Sequence, residues 1–142
     1  MKLRISRTLL VAAAALILGS AAYAQEVNLR AKIPFAFTLG DKVYPAGEYA
    51  VQTVMANTDS LYIKNEAQAK PALLLTNQNT SFEPSKQSKL VFHRVGKTYF
   101  LYQVWVAGST VGREFPKSHG EMELAQNGAK SETVIVAANI TH

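Results

Sequence analysis

From Val27 to Leu39 every odd position is apolar, through Val27, Leu29, Ala31, Ile33, Phe35, Phe37 and Leu39, while most even positions are polar or small. Side chains alternate between the two faces of a β-strand, so this run predicts a long strand with one buried face. Asn28, Arg30, Lys32 and Thr38 fall on its outer face. Pro34 carries no N–H for a ladder and therefore marks an edge or a bend. A helix is excluded here, because period-two patterning would scatter the apolar residues around its surface.

The rest of the chain continues in the same idiom. Gly40-Asp41-Lys42 and Pro45-Ala46-Gly47 are turns on either side of a short arm at Val43 and Tyr44, since Pro presets φ and Gly tolerates positive φ. Tyr49, Val51 and Met55 mark the next strand, and Leu61-Tyr62-Ile63 another. Ala72 to Leu75 is apolar on both faces, which predicts a central strand. Asn77 to Ser88 is polar and reads as a long exposed loop. Lys89 to Ala107 is the strongest hairpin, with Gly96-Lys97 as a two-residue turn that pairs Val95 with Thr98. That register puts Val91, His93, Phe100, Tyr102 and Val104 on one face, and Leu90, Phe92, Arg94, Tyr99, Leu101 and Trp105 on the other. Both faces are largely apolar, so both must be covered. Gly108 to Gly112 reads as a turn, and Thr133 to Ala138 as a closing strand. One short helix is expected after Pro116, with Ser118 as N-cap, Glu121 completing a capping box and Asn127-Gly128 as its stop. The pattern predicts an all-β fold, an antiparallel sandwich or small barrel of about eight strands with one short helix in the C-terminal half. In the barrel version, Val27 to Leu39 pairs with Thr133 to Ala138.

The N-terminus has a separate logic. Lys2, Arg4 and Arg7 precede the unbroken apolar run Leu9 to Leu18, and Ala22-Tyr23-Ala24 follows, the arrangement of a signal peptide cleaved between Ala24 and Gln25. The run is about half of the ~20 residues a membrane-spanning helix needs. We therefore expect a leader at residues 1–24 and one mature β-domain at residues 25–142, exported to the periplasm or secreted, with no stable membrane anchor. Of the fifteen Lys and Arg residues three lie in the leader, leaving twelve against ten acids, a net charge of +2 on the mature chain. Those charges are scattered, which excludes the basic tract of a nucleic-acid binder. There is no Cys, which removes thiolate catalysis, disulfides and lipoprotein anchoring together.

Three segments, Ile33-Pro34-Phe35-Ala36-Phe37 through Gly40-Asp41-Lys42 to Pro45-Ala46-Gly47-Glu48-Tyr49, then Leu90-Val91-Phe92-His93-Arg94 through Tyr99-Phe100-Leu101 to Trp105, then Gly112-Arg113-Glu114 to Pro116-Lys117-Ser118, occur in order. On them the chain resembles a family of small, cysteine-free exported proteins of uncharacterised function from acidobacterial soil bacteria. The resemblance implies export and brings no catalytic residue with it. Val95 stands where that family more often has an aromatic residue, and His119-Gly120 replaces a more highly charged helix start.

Candidate chemistry is sparse. His119, Glu121 and Glu123 are the one cluster with metal-ligand residue types, and it lacks the spacing of a zinc motif. No Gly-x-Ser-x-Gly elbow is present. An enzyme is therefore not the leading reading, and no cofactor or metal is expected. His93, Arg94, Tyr99, Phe100, Tyr102 and Trp105, all on one hairpin, are the candidate ligand-binding residues, as polar handles in aromatic surroundings. Two functions fit: an exported non-enzymatic β-domain acting as an envelope or extracellular interaction or structural module towards an unknown protein, or a periplasmic or secreted carrier of a small apolar or aromatic ligand.

Overall fold

The computed structural model describes residues 26–56, 58–68 and 70–141; the leader and its cleavage site at Ala24 and Gln25 lie outside them. Twelve strands and one helix follow in chain order. The strands are β1 (Asn28–Ile33), β2 (Phe37–Leu39), β3 (Lys42–Tyr44), β4 (Gly47–Thr53), β5 (Ser60–Asn65), β6 (Ala72–Leu75), β7 (Asn77–Thr80), β8 (Lys89–Val95), β9 (Thr98–Trp105), β10 (Val111–Glu114), β11 (Ser131–Ala137) and β12 (Asn139–Ile140), with α1 (His119–Gln126) between β10 and β11. They form two sheets that pack together as a sandwich, not a closed barrel. Sheet A has the order β12-β1-β4-β5-β6, and sheet B the order β11-β8-β9-β10-β7 with β2 and β3 attached beside β9.

Besides the Pro45-Ala46 turn that leads from β3 in sheet B back to β4 in sheet A, three nearly continuous stretches run from one sheet into the other. The long strand expected at Val27 to Leu39 breaks at Pro34: β1 lies in sheet A, and β2 pairs with β3 and β9 in sheet B. Pro34 withholds the N–H that a continuous ladder would need, so the chain turns its corner there. The same happens between β6 and β7 at Thr76, whose N–H and hydroxyl both donate to the Asp59 carbonyl, and between β11 and β12 at Ala138. Strands that switch sheets at bends are how packed sheets make corners.

The count exceeds eight because β1 and β2 are separate and because β7, β10 and β12 were hidden in segments read as loop, turn and tail. The barrel pairing does not form: β1 pairs with β12 at only two positions, and β11 pairs along its whole length with β8. Ala72 to Leu75 is an edge strand rather than a central one. Leu73 and Leu75 are exposed, and Leu74 turns inward opposite Leu61. Met55 lies beyond the end of β4 and is exposed.

The core fills the space between the sheets. Leu29, Ile33, Val51, Leu61 and Ile63 from sheet A meet Phe37, Leu90, Phe92, Leu101 and Val104 from sheet B. Phe92 receives the edges of Phe35 and Phe37, and Phe37 is edge-on to Tyr49. Arg113, almost fully buried, reaches from β10 to the Asp59 carboxylate at 2.6 Å and ties the two sheets at one end.

Candidate functional site

The hairpin β8–β9 begins in the expected register. Val95 pairs with Thr98, Arg94 with Tyr99 and His93 with Phe100, with Gly96 at φ +63° in the turn. A bulge then intervenes: Phe92 pairs with Leu101 but Val91 with Gln103, so Tyr102 is the extra residue. One inserted residue reverses the facing of everything beyond it. Val104 consequently joins the core opposite Leu90, and Trp105 moves to the outer face of sheet B opposite Lys89. The two faces expected from an unbroken ladder are therefore corrected at these two residues.

The bulge sorts the six candidate residues into two groups. His93, Phe100, Tyr102 and Trp105 share the outer face of sheet B, while Tyr99 turns towards the core and stacks on Phe35 with ring centroids 3.8 Å apart. Arg94, exposed, lies over the Tyr99 ring at 5.7 Å and donates from Nε to the Gly96 carbonyl. These two form no common pocket with the other four.

Val91, Phe100 and Trp105 are buried yet stand apart from the main core. Two covers shield them. The first is α1, which begins as expected with Ser118 Oγ accepting from Glu121 N–H, and ends in Gly128 at φ +79° with Ala129 N–H on the Leu124 carbonyl. Gly120 rests on Phe100. Glu121, the one buried residue of the helix, is not spent on a reciprocal capping bond: its Oε1 lies 2.7 Å from His93 Nδ1. The His93 ring stacks on Tyr102 at 3.9 Å. Burial, then the nearby Glu114 carboxylate and that of Glu121, push the Tyr102 hydroxyl above its ordinary pKa. His119 and Glu123 are both exposed. Among the described residues no three His, Asp or Glu side chains come together as a metal site.

The second cover is the segment Ser81 to Ser88, which bounds an open groove of about 770 Å³ on the outer face. Its floor crosses three strands through Gln103, Val91 and Ile135, with Trp105 and Lys89 in the next row. Trp105 is held from several sides. Its Nε1–H donates to Gln103 Oε1 at 3.0 Å, Gln103 Nε2 donates to Glu114 Oε2 at 2.9 Å, and Asn79 Nδ2 donates to the same oxygen. Gly112 lies against the indole so closely that a Cβ there would be 2.7 Å from the ring carbons.

Of the candidate residues only Trp105 lines this groove; His93 lines none of the concavities described, and Arg94 borders a separate shallow one beside Lys130 and Glu132. Gln103, Glu114, Asn79 and Gly112 are not among the candidate site residues, although Gly112 and Glu114 lie in a segment that carries the family resemblance. β7 and β10 supply three of them, and the one local signal was the Gly in Val111-Gly112-Arg113. Comparisons of the chain with protein-family models, with curated proteins and with solved structures gave no match. Among the described residues no helix is long and apolar enough to cross a membrane.

Proposed function

We propose that this chain is an exported, non-enzymatic recognition domain whose working surface is the outer face of sheet B. One observation carries the reading: an open groove of about 770 Å³ lies on that face with a fixed indole in its floor, whereas apolar side chains fill the space between the sheets. Leu29, Val51, Leu61, Leu90, Phe92 and Val104 occupy the interior with essentially no exposure. A carrier that encloses an apolar ligand needs that space empty, so the interior supports surface recognition over enclosed carriage.

The leader, the absence of cysteine and the resemblance to acidobacterial exported proteins support export. The non-enzymatic part rests on geometry. Among the described residues the one His–carboxylate pair, His93 and Glu121, is sequestered under α1 with side chains 17% and 8% exposed, and His93 lines none of the concavities described above. Catalysis needs such groups to converge where a reacting atom can sit.

The test is hydrogen exchange on the mature chain with and without the soluble fraction of its own cell envelope. The reading expects new protection in residues 81–87, β9 and β11. Protection confined to sheet A, or none anywhere, would contradict it.

A further inference from the structure

The groove is prepared before anything occupies it. Its floor is locked by the chain of donors from Trp105 through Gln103 to Glu114, and by Gly112 against the indole. Its wall is pinned by backbone bonds: Ser81 N–H to the Thr110 carbonyl at 2.8 Å, Ser85 N–H to that of Ser109 at 2.9 Å, and Gly108 N–H to that of Ser85 at 2.8 Å. An occupant therefore has little to order on binding, which is where much of the cost of association lies.

Charge then selects among occupants. Lys86 and Lys89 both line the groove, and neither is in an ion pair among the described residues. Glu83 is the only acid in the lining, and it is exposed on the loop. The Glu114 carboxylate beneath the floor is already engaged by two amide donors. Two ammonium groups beside an apolar floor attract an anion more than a neutral molecule of the same shape.

We propose that the groove binds a small organic anion, its flat apolar body on Val91, Trp105 and Ile135 and its acid group between Lys86 and Lys89. The volume of about 770 Å³ suits a ligand of two or three rings. This rests on the reading that the outer face of sheet B is the working surface, and adds the chemistry of what it accepts.

The test uses two dyes of nearly one shape, 1-anilinonaphthalene-8-sulfonate and its uncharged parent N-phenyl-1-naphthylamine. Trp105 is the only tryptophan in the chain, so energy transfer from it reports occupancy of the groove. The sulfonate is expected to bind about ten-fold more tightly than the parent. The double variant K86Q/K89Q, with unchanged circular dichroism, should bring the two dyes to parity by weakening only the sulfonate. Added salt should do the same, because exposed charges are screened. Equal affinity of the wild-type chain for both dyes, or a K86Q/K89Q variant that keeps its preference, overturns the anion selectivity and leaves the surface reading standing. Binding without transfer from Trp105, or no binding of either dye, overturns the inference itself. The exchange footprint with envelope extract then decides separately whether the face recognises something else.

Discussion

The outer faces of the two sheets obey the same alternation and end in opposite states. On sheet A the outward positions of β1, β4 and β5 include Arg30, Lys32, Gln52 and Lys64, all exposed, with Leu73 and Leu75 appearing only on the β6 edge. Water covers that face, and its one ion pair among the described residues, Arg30 with Glu66, sits in solvent. On sheet B the outward positions include Val91, Phe100 and Trp105, exposed by only 3 to 8%, with Ile135 of β11 half-exposed in the floor of the groove. Apolar residues facing outward must be covered, and the covers here are α1, which follows β10, and the segment Ser81 to Ser88, which leads directly into β8. Each cover is fixed by a few polar contacts rather than by a broad apolar seam. A face built this way is nearly finished as a core and keeps an open groove of about 770 Å³, against about 420 Å³ for the concavity beside Arg30 and Tyr62 on sheet A.

Substitutions can break this contrast, beginning with the largest effect. Phe100→Ala should cost about 3–5 kcal/mol in urea unfolding, as for a core aromatic. Gln52→Ala on the outer face of sheet A should stay within about 0.5 kcal/mol. Similar values for the two would mean that sheet B's outer face is not covered. Next comes Gly112→Ala, whose Cβ has no room beside the indole; overpacking predicts a loss of about 1–3 kcal/mol with a shift in Trp105 emission. Glu121→Ala leaves the half-buried His93 without its partner, at a cost of about 1–3 kcal/mol. Amide exchange should then speed up in α1 but not in sheet A.

The alkaline limb sharpens the comparison further. A tyrosine whose folded pKa is raised keeps its stabilising contribution below the ordinary value of 10 and loses it as pH rises through the raised value. Burial raises Tyr44 and Tyr49 in the core in the same direction. Stability should therefore fall above pH 10, and Tyr102→Phe should make the fall shallower; an unchanged slope would place Tyr102 in solvent. The smallest effect belongs to sheet A. Arg30→Ala breaks a pair with side chains 61% and 36% exposed and should change stability by no more than about 0.5 kcal/mol, less in salt.

Sheet A was legible along β1, β4 and β5 because each of these strands shows one buried and one wet face, so periodicity alone assigns Leu29, Val51 and Ile63 inward. The all-β class, the β8–β9 turn and the Ser118 cap followed from equally local chemistry. Sheet B resisted where contacts are long-range. Nothing in Tyr102-Gln103 announces a bulge, yet that one residue exchanges Val104 and Trp105 between faces. Asn77 to Thr80 has the composition of a loop and becomes a strand only because β10 lies beside it. Ala72 to Leu75 misled in the other direction, since apolar residues on both faces resemble a central strand even where the outer pair is exposed. Glu121 could be read as a capping residue from its spacing, but its partner His93 lies 28 positions away. The groove is thus assembled from segments whose meeting depends on the whole fold.

The central claim is that the bulge at Tyr102 delivers Trp105 to the outer face of sheet B. Because the chain has one tryptophan, the nuclear Overhauser contacts of its indole protons can be assigned without ambiguity. The account predicts contacts from the indole to Gly112 and to the side chains of Gln103 and Lys89. Contacts instead to Phe92 and Leu101 would put Trp105 in the core, restore the unbroken ladder and remove the floor of the groove.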